Sequence, residues 1–180
     1  QGFVWSDLRT QGRAAHGSGP AEGIDANMHM GRVLSKLEAL NRSLSSDEAR
    51  ALVGPPSLHA GQLRGGDAPS VYAAECHLRM ERRTVPGESA EDALEEVQTV
   101  LHELSEADDA FEAEAEIAFS RGTLKTPADA TVASATRAGL SRTLAPNNPP
   151  PDTGASCWTD AAPLSAAGPD PVVLGPEGAG

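Results

Sequence analysis

Aromatic residues are scarce in this 180-residue chain: three Phe, two Trp and one Tyr make up 3% of it. A core built here must therefore be mostly Ala, Val, Leu and Ile, which a chain of this length can still bury. Cysteine is nearly absent too. Cys76 and Cys157 are no disulfide framework, and a reducing, cytoplasmic compartment suits them. Basic side chains number 14 against 26 acidic ones, for a net charge of −12. That field repels a phosphate backbone and argues against nucleic acid as a partner. No apolar run approaches the roughly 20 residues of a membrane span, and no segment is built like a signal peptide, so no membrane role is expected. The familiar catalytic signatures are missing as well. There is no His-x-Asp, His-Glu-x-x-His, Cys-x-x-Cys or Gly-x-Ser-x-Gly.

What is present is a clear alternation of periods. Residues 2–10 read as a strand leading into a glycine-rich turn from Gln11 to Gly19. From Ile24 to Leu44 the apolar residues Met30, Val33, Leu34, Leu37 and Leu40 fall three and four apart, a helical stripe. Gly54-Pro55-Pro56 ends that pattern. Strands are expected at Leu58–Arg64 and Tyr72–Arg83, the second with Cys76, Leu78 and Met80 on one face and His77, Arg79, Glu81 and Arg83 on the other. Ser89 has the character of a helix cap, and Leu94, Val97, Leu101 and Leu104 supply the stripe of a second helix. Phe111, Ala113, Ala115, Ile117 and Phe119 then alternate with Glu112, Glu114 and Glu116, predicting a strand whose charged face meets solvent or a cleft.

Strand, helix, strand, strand, helix, strand is the ferredoxin-like βαββαβ plan, an α+β sheet with both helices on one face. We assign it residues 1–122. Residues 123–180 read as a second, incomplete α/β unit. It comprises a helix at Ala128–Leu144, a proline-rich loop, a short helical segment near Asp160–Ala167 and a closing strand at Pro171–Leu174. Gln1 stands immediately before a strand and Gly180 soon after one, as in a piece of a longer protein.

Taken residue by residue, the chemistry is sparse. His29, His59, His77 and His102 read as surface or loop histidines, not metal ligands, and Glu95-Glu96 as the solvated face of a helix. His16 differs. It sits in Gly12-Arg13-Ala14-Ala15-His16-Gly17-Ser18-Gly19-Pro20, just beyond a strand. This segment resembles the lid signature of the co-catalytic zinc peptidases and deacylases, a family that includes acetylornithine deacetylase, succinyl-diaminopimelate desuccinylase, glutamate carboxypeptidase and the aminoacylases. Three further stretches are similar in the same order. They are Gly65-Gly66-Asp67-Ala68-Pro69-Ser70-Val71-Tyr72, then Glu81-Arg82-Arg83-Thr84-Val85-Pro86-Gly87-Glu88, then Trp158-Thr159-Asp160-Ala161-Ala162 with Gly175-Pro176-Glu177-Gly178.

The resemblance implies a ferredoxin-like lid followed by the C-terminal part of a catalytic domain, and a homodimer formed through the lid. It implies a parent hydrolase that uses zinc, cobalt or manganese to activate water against the amide of a small N-acyl amino acid or peptide. His16 would stabilise the transition state, reaching the other subunit's site. Arg83, Ser70, Gly175 and Gly178 would contact substrate, with Ser70 standing where many members have Asn, and Glu177 where they have Gly. Arg83 is open to two readings, a carboxylate-binding fork and a cross-strand ion pair on a sheet face. None of the family's metal ligands matches a residue of this chain, so the chain alone is expected to bind no metal and to be inactive. The alternative is a stand-alone, non-catalytic ferredoxin-like module for dimerisation or small-molecule sensing.

Overall fold

The computed structural model describes residues 1–45, 52–143 and 151–175. Its first part runs β1 (Gly2–Gln11), α1 (Ala26–Ser45), β2 (Ser57–Gly65), β3 (Glu75–Thr84), α2 (Ala90–Ala107) and β4 (Glu112–Arg121). The four strands form one sheet in the order β2-β3-β1-β4, every neighbouring pair antiparallel. This is the ferredoxin-like plan.

Strand alternation explains where the core sits. Val4, Ser6, Leu8 and Thr10 of β1 and Cys76, Leu78 and Met80 of β3 point to one face and are buried. Met30, Val33 and Leu37 of α1 and Val97, Leu101 and Leu104 of α2 close over them. Each helix begins on a side chain. Asp25 accepts from the Asn27 and Met28 N–H groups (2.9 and 3.4 Å). Ser89 and Asp92 form a reciprocal capping box at the start of α2. A buried bond from Thr10 Oγ1 to the Ala26 carbonyl (2.9 Å) ties β1 to α1. Asn41 accepts the Leu58 N–H (2.8 Å), locating β2 beside α1.

Two expectations need correcting here. The alternation of β4 breaks at Ala118, because Trp5 faces Phe119 while Ser6 faces Ile117, leaving one residue unpaired. Phe119 is thereby turned away from Ile117 and onto the outer face, where it packs with Trp5 at 5.4 Å and Phe3 at 5.9 Å between ring centroids. His29 is no surface histidine. It lies buried in α1, its ring 5.3 Å from that of Phe111.

Beyond the sheet come α3 (Thr131–Thr143) and α4 (Ala161–Ala166). Residues 171–175 form no strand, contrary to the expectation for Pro171–Leu174. An extended segment becomes a strand only when a neighbouring strand pairs with its backbone, and among the described residues no strand does, although Thr126 Oγ1 donates to the Pro171 carbonyl. The 151–175 stretch instead docks at the start of β1. Trp158 stands edge-on to Phe3 (6.1 Å between centroids), and Arg83 donates to the Ser156 carbonyl (2.7 Å).

Candidate functional site

The loop after β1 is held by main chain at every turn. Gly12 N–H donates to the Ala74 carbonyl (2.7 Å), and Arg13 and Ile24 exchange two bonds (2.8 and 3.0 Å). Gly12 must be glycine, because a Cβ there would come within 2.3 Å of the Ile24 oxygen and 2.6 Å of the Ala73 oxygen. Further along, Gly17 N–H donates to the Ser70 carbonyl (2.7 Å) and Tyr72 N–H to the Ala15 carbonyl (3.0 Å). His16 and Val71 thus form an antiparallel bridge. The two glycine-containing segments singled out in the sequence, 12–20 and 65–72, meet here.

His16 is exposed on this ledge, with Ser70 next to its bridge partner. Its Nδ1 lies 2.8 Å from Ser18 Oγ and accepts the Ser18 N–H at 3.2 Å. An imidazole on a backbone pinned on both sides can project a donor beyond the sheet. That is the chemistry needed to stabilise a developing oxyanion.

Arg83 is elsewhere. Its strand position pairs with Phe3, at the start of β1, whereas the His16 loop follows the end of that strand. Since β1 is ten residues long, its ends lie about 30 Å apart. At its own end Arg83 is enclosed: Gln1 Oε1 at 3.4 Å, the Ser156 carbonyl, Glu81 at 3.5 Å and the Phe3 ring at 5.7 Å. The acidic partner Glu81 is on the same strand, so the pairing is not cross-strand. Gly175 belongs to the docked segment, exposed and with open space where a Cβ would be. Gly178 lies outside the described residues.

One buried charge, Arg82, escaped notice in the sequence, and its partner Glu96 was read there as solvated. Arg82, 1% exposed, sits among the core residues of β3 and makes paired 2.9 Å bonds to Glu96 and longer ones to Glu88. Burial opposes its charge, but the two carboxylates outweigh that and raise its pKa. Glu96 is therefore an ion-pair partner, not part of a solvated face. The signal was its place in the alternation Cys76, Leu78, Met80, Arg82.

The described residues contain no group of three His, Cys, Asp or Glu side chains that could hold a metal ion. They do not fit the zinc, cobalt or manganese that the resemblance implies for a parent enzyme. Nor is any described helix long and apolar enough to cross a membrane.

An antiparallel sheet with two helices on one face, and a histidine-bearing ledge built from two glycine-containing loops at one end of it, define a ferredoxin-like α+β domain. Residues 1–109 match the peptidase dimerisation domain, and the chain belongs to that family. It is 27% identical over 178 residues to the acetylornithine deacetylase of Myxococcus xanthus, covering 98% of this chain and 45% of that protein. Over 107 residues it is 33% identical to the acetylornithine deacetylase of Vibrio cholerae, covering 54% of this chain and 28% of that one. A tripeptidase from Staphylococcus aureus shares the fold with a TM-score of 0.72 at 18% identity, over 94% of this chain and 42% of its own. An aminopeptidase from Bacillus cereus does so at 0.67 and 14%, over 92% of this chain and 42% of its own. The chain spans less than half the length of these relatives.

Proposed function

We propose that this chain is the dimerising lid, residues 1–122, and an adjoining catalytic-domain segment, residues 123–180, of a metal-dependent hydrolase that cleaves the amide bond of a small N-acyl amino acid or peptide. His16 donates a hydrogen bond to the oxyanion formed when water adds to that carbonyl, and it does so in the active site of the other subunit. Ser70, beside it on the ledge, meets the same substrate. Arg83 of the lid, and Gly175 and Gly178 of the adjoining segment, complete the contacts to substrate. The metal's ligands are not among the described residues, so no step of this chain's chemistry is routed through it.

One observation carries the reading. His16 projects from one end of the sheet while the 151–175 segment docks at the other, about one strand length away. A histidine so placed is directed away from its own catalytic segment, and a two-fold partner supplies a site for it. Edge chemistry favours β2 as the dimer contact. β2 has only His59 and Arg64 as charged or titratable residues and is largely exposed, whereas β4 carries Glu112, Glu114 and Glu116. Those three carboxylates would repel a second copy of themselves.

Replacing His16 by Ala in the full-length enzyme should lower kcat by a factor on the order of 10²–10³ with KM little changed, because the lost interaction is made mainly in the transition state. An unchanged kcat would remove His16 from the chemistry.

A further inference from the structure

Resting on the reading of His16 as an oxyanion donor, we propose that Ser18 is a positioning residue that fixes which ring nitrogen of His16 carries the proton. An imidazole offers an oxyanion a hydrogen bond only from a protonated nitrogen. The two neutral tautomers place that proton at opposite sides of the ring, and the partner of one nitrogen selects the other's role.

The ledge supplies such a partner. Ser18 N–H points at His16 Nδ1 across 3.2 Å. A backbone N–H can only donate, so Nδ1 must accept. Ser18 Oγ, 2.8 Å from the same nitrogen, then donates its hydroxyl proton to it. The opposite tautomer would set the Nδ1 proton against the Ser18 N–H, donor facing donor. The proton of the neutral ring therefore resides on Nε2. That nitrogen makes no hydrogen bond among the described residues, and the side chain is exposed, leaving an N–H to offer to an acceptor oxygen.

The main chain holds the pair in register. Gly17 N–H is bonded to the Ser70 carbonyl on one side of Ser18, and Gly19 N–H returns to the His16 carbonyl at 2.8 Å on the other. Ser18 is thus clamped between two anchored glycines, and its N–H cannot turn from the ring without breaking one of these bonds. The ligand this arrangement suits is an anionic or carbonyl oxygen, as in the tetrahedral adduct of an amide. A metal ion or a proton donor would need the reverse polarity at Nε2.

The test is a two-bond proton–nitrogen correlation spectrum of the whole chain with nitrogen-15 in its histidines, taken at alkaline pH where the ring is neutral. The expected result is a single tautomer: Nε2 protonated, Nδ1 bare, the two nitrogen resonances far apart. Ser18→Ala removes the hydroxyl but keeps the backbone N–H, so the Nε2-protonated tautomer should remain the major one while the two resonances move partway towards each other. Ser18→Thr should restore the separation. Unchanged dispersion of the amide spectrum in each variant shows that the fold persists. A proton on Nδ1 in the unaltered chain would overturn the proposal, and Ser18→Ala resonances identical to the parent's would overturn the hydroxyl's part in it. Because no turnover is measured, this result is separate from the catalytic role of His16. Full kcat in His16→Ala with an Nε2 proton in the spectrum would defeat the oxyanion reading and leave the tautomer assignment intact.

Discussion

Removing the guanidinium of Arg82 should be among the most costly single changes in the sheet. All its N–H donors are engaged: Nε and Nη2 grip the two oxygens of Glu96 at 2.9 Å, both terminal nitrogens reach Glu88 at 3.3–3.4 Å, and Nη1 donates to the Arg83 carbonyl. Arg82→Leu keeps the apolar stem in the core but leaves two carboxylates facing a site with no counter-charge. Breaking a buried pair from one side costs about 3–5 kcal/mol. The Glu88 and Glu96 side chains retain 18% and 30% exposure, and Glu88 keeps its bond to the Val85 N–H, so partial hydration brings the expectation to the lower end. Urea unfolding followed by circular dichroism should therefore show a loss of about 3 kcal/mol at an unchanged denaturant slope. The double variant Arg82→Leu/Glu96→Leu should be more stable than Arg82→Leu, since one of the stranded charges is gone. A loss below about 1 kcal/mol for the single change, a value typical of an exposed pair, would refute the reasoning.

Two further predictions concern α1 and the dimer. Burial, then the nearby Arg32, lowers the pKa of His29 from its ordinary 6.5. The unfolded chain thus binds more protons below that pH, and stability should fall as the pH drops from 6.5 through the depressed value. His29→Gln should flatten this part of the stability–pH profile, measured by thermal unfolding at a series of pH values; an unaltered slope would contradict the assignment. The chain should also sediment as a dimer at micromolar concentration, and a Pro at Gln62 in the β2 edge should shift it towards monomer. A monomer throughout would remove the β2 contact.

Legibility in the sequence followed the physics of each element. The four strands and two helices of the sheet domain were readable because their apolar periods are regular and their breaks carry Gly or Pro, as at Gly54-Pro55-Pro56 and Pro86-Gly87. Where reading failed, long-range pairing had intervened. The unpaired Ala118 shifts Phe119 to the other face, and only register against β1 reveals it. Glu96 looked like a surface charge because it was judged without Arg82, which it meets across fourteen positions. His29 was hidden in the same way, since its ring packs against Phe111, in the turn between α2 and β4. The meeting of segments 12–20 and 65–72 was legible only as two motifs in order, and the opposition of His16 and Arg83 needed the sheet.

The most direct test of the central claim is subunit mixing. Full-length subunits carrying His16→Ala are combined with subunits whose metal site has been disabled, each inactive alone, and the dimers are allowed to exchange. If His16 serves the other subunit's site, every mixed dimer regains one complete site, and an equal mixture should recover about a quarter of the parent activity. A mixture that stays inactive after exchange has been demonstrated would mean that His16 does not act across the dimer.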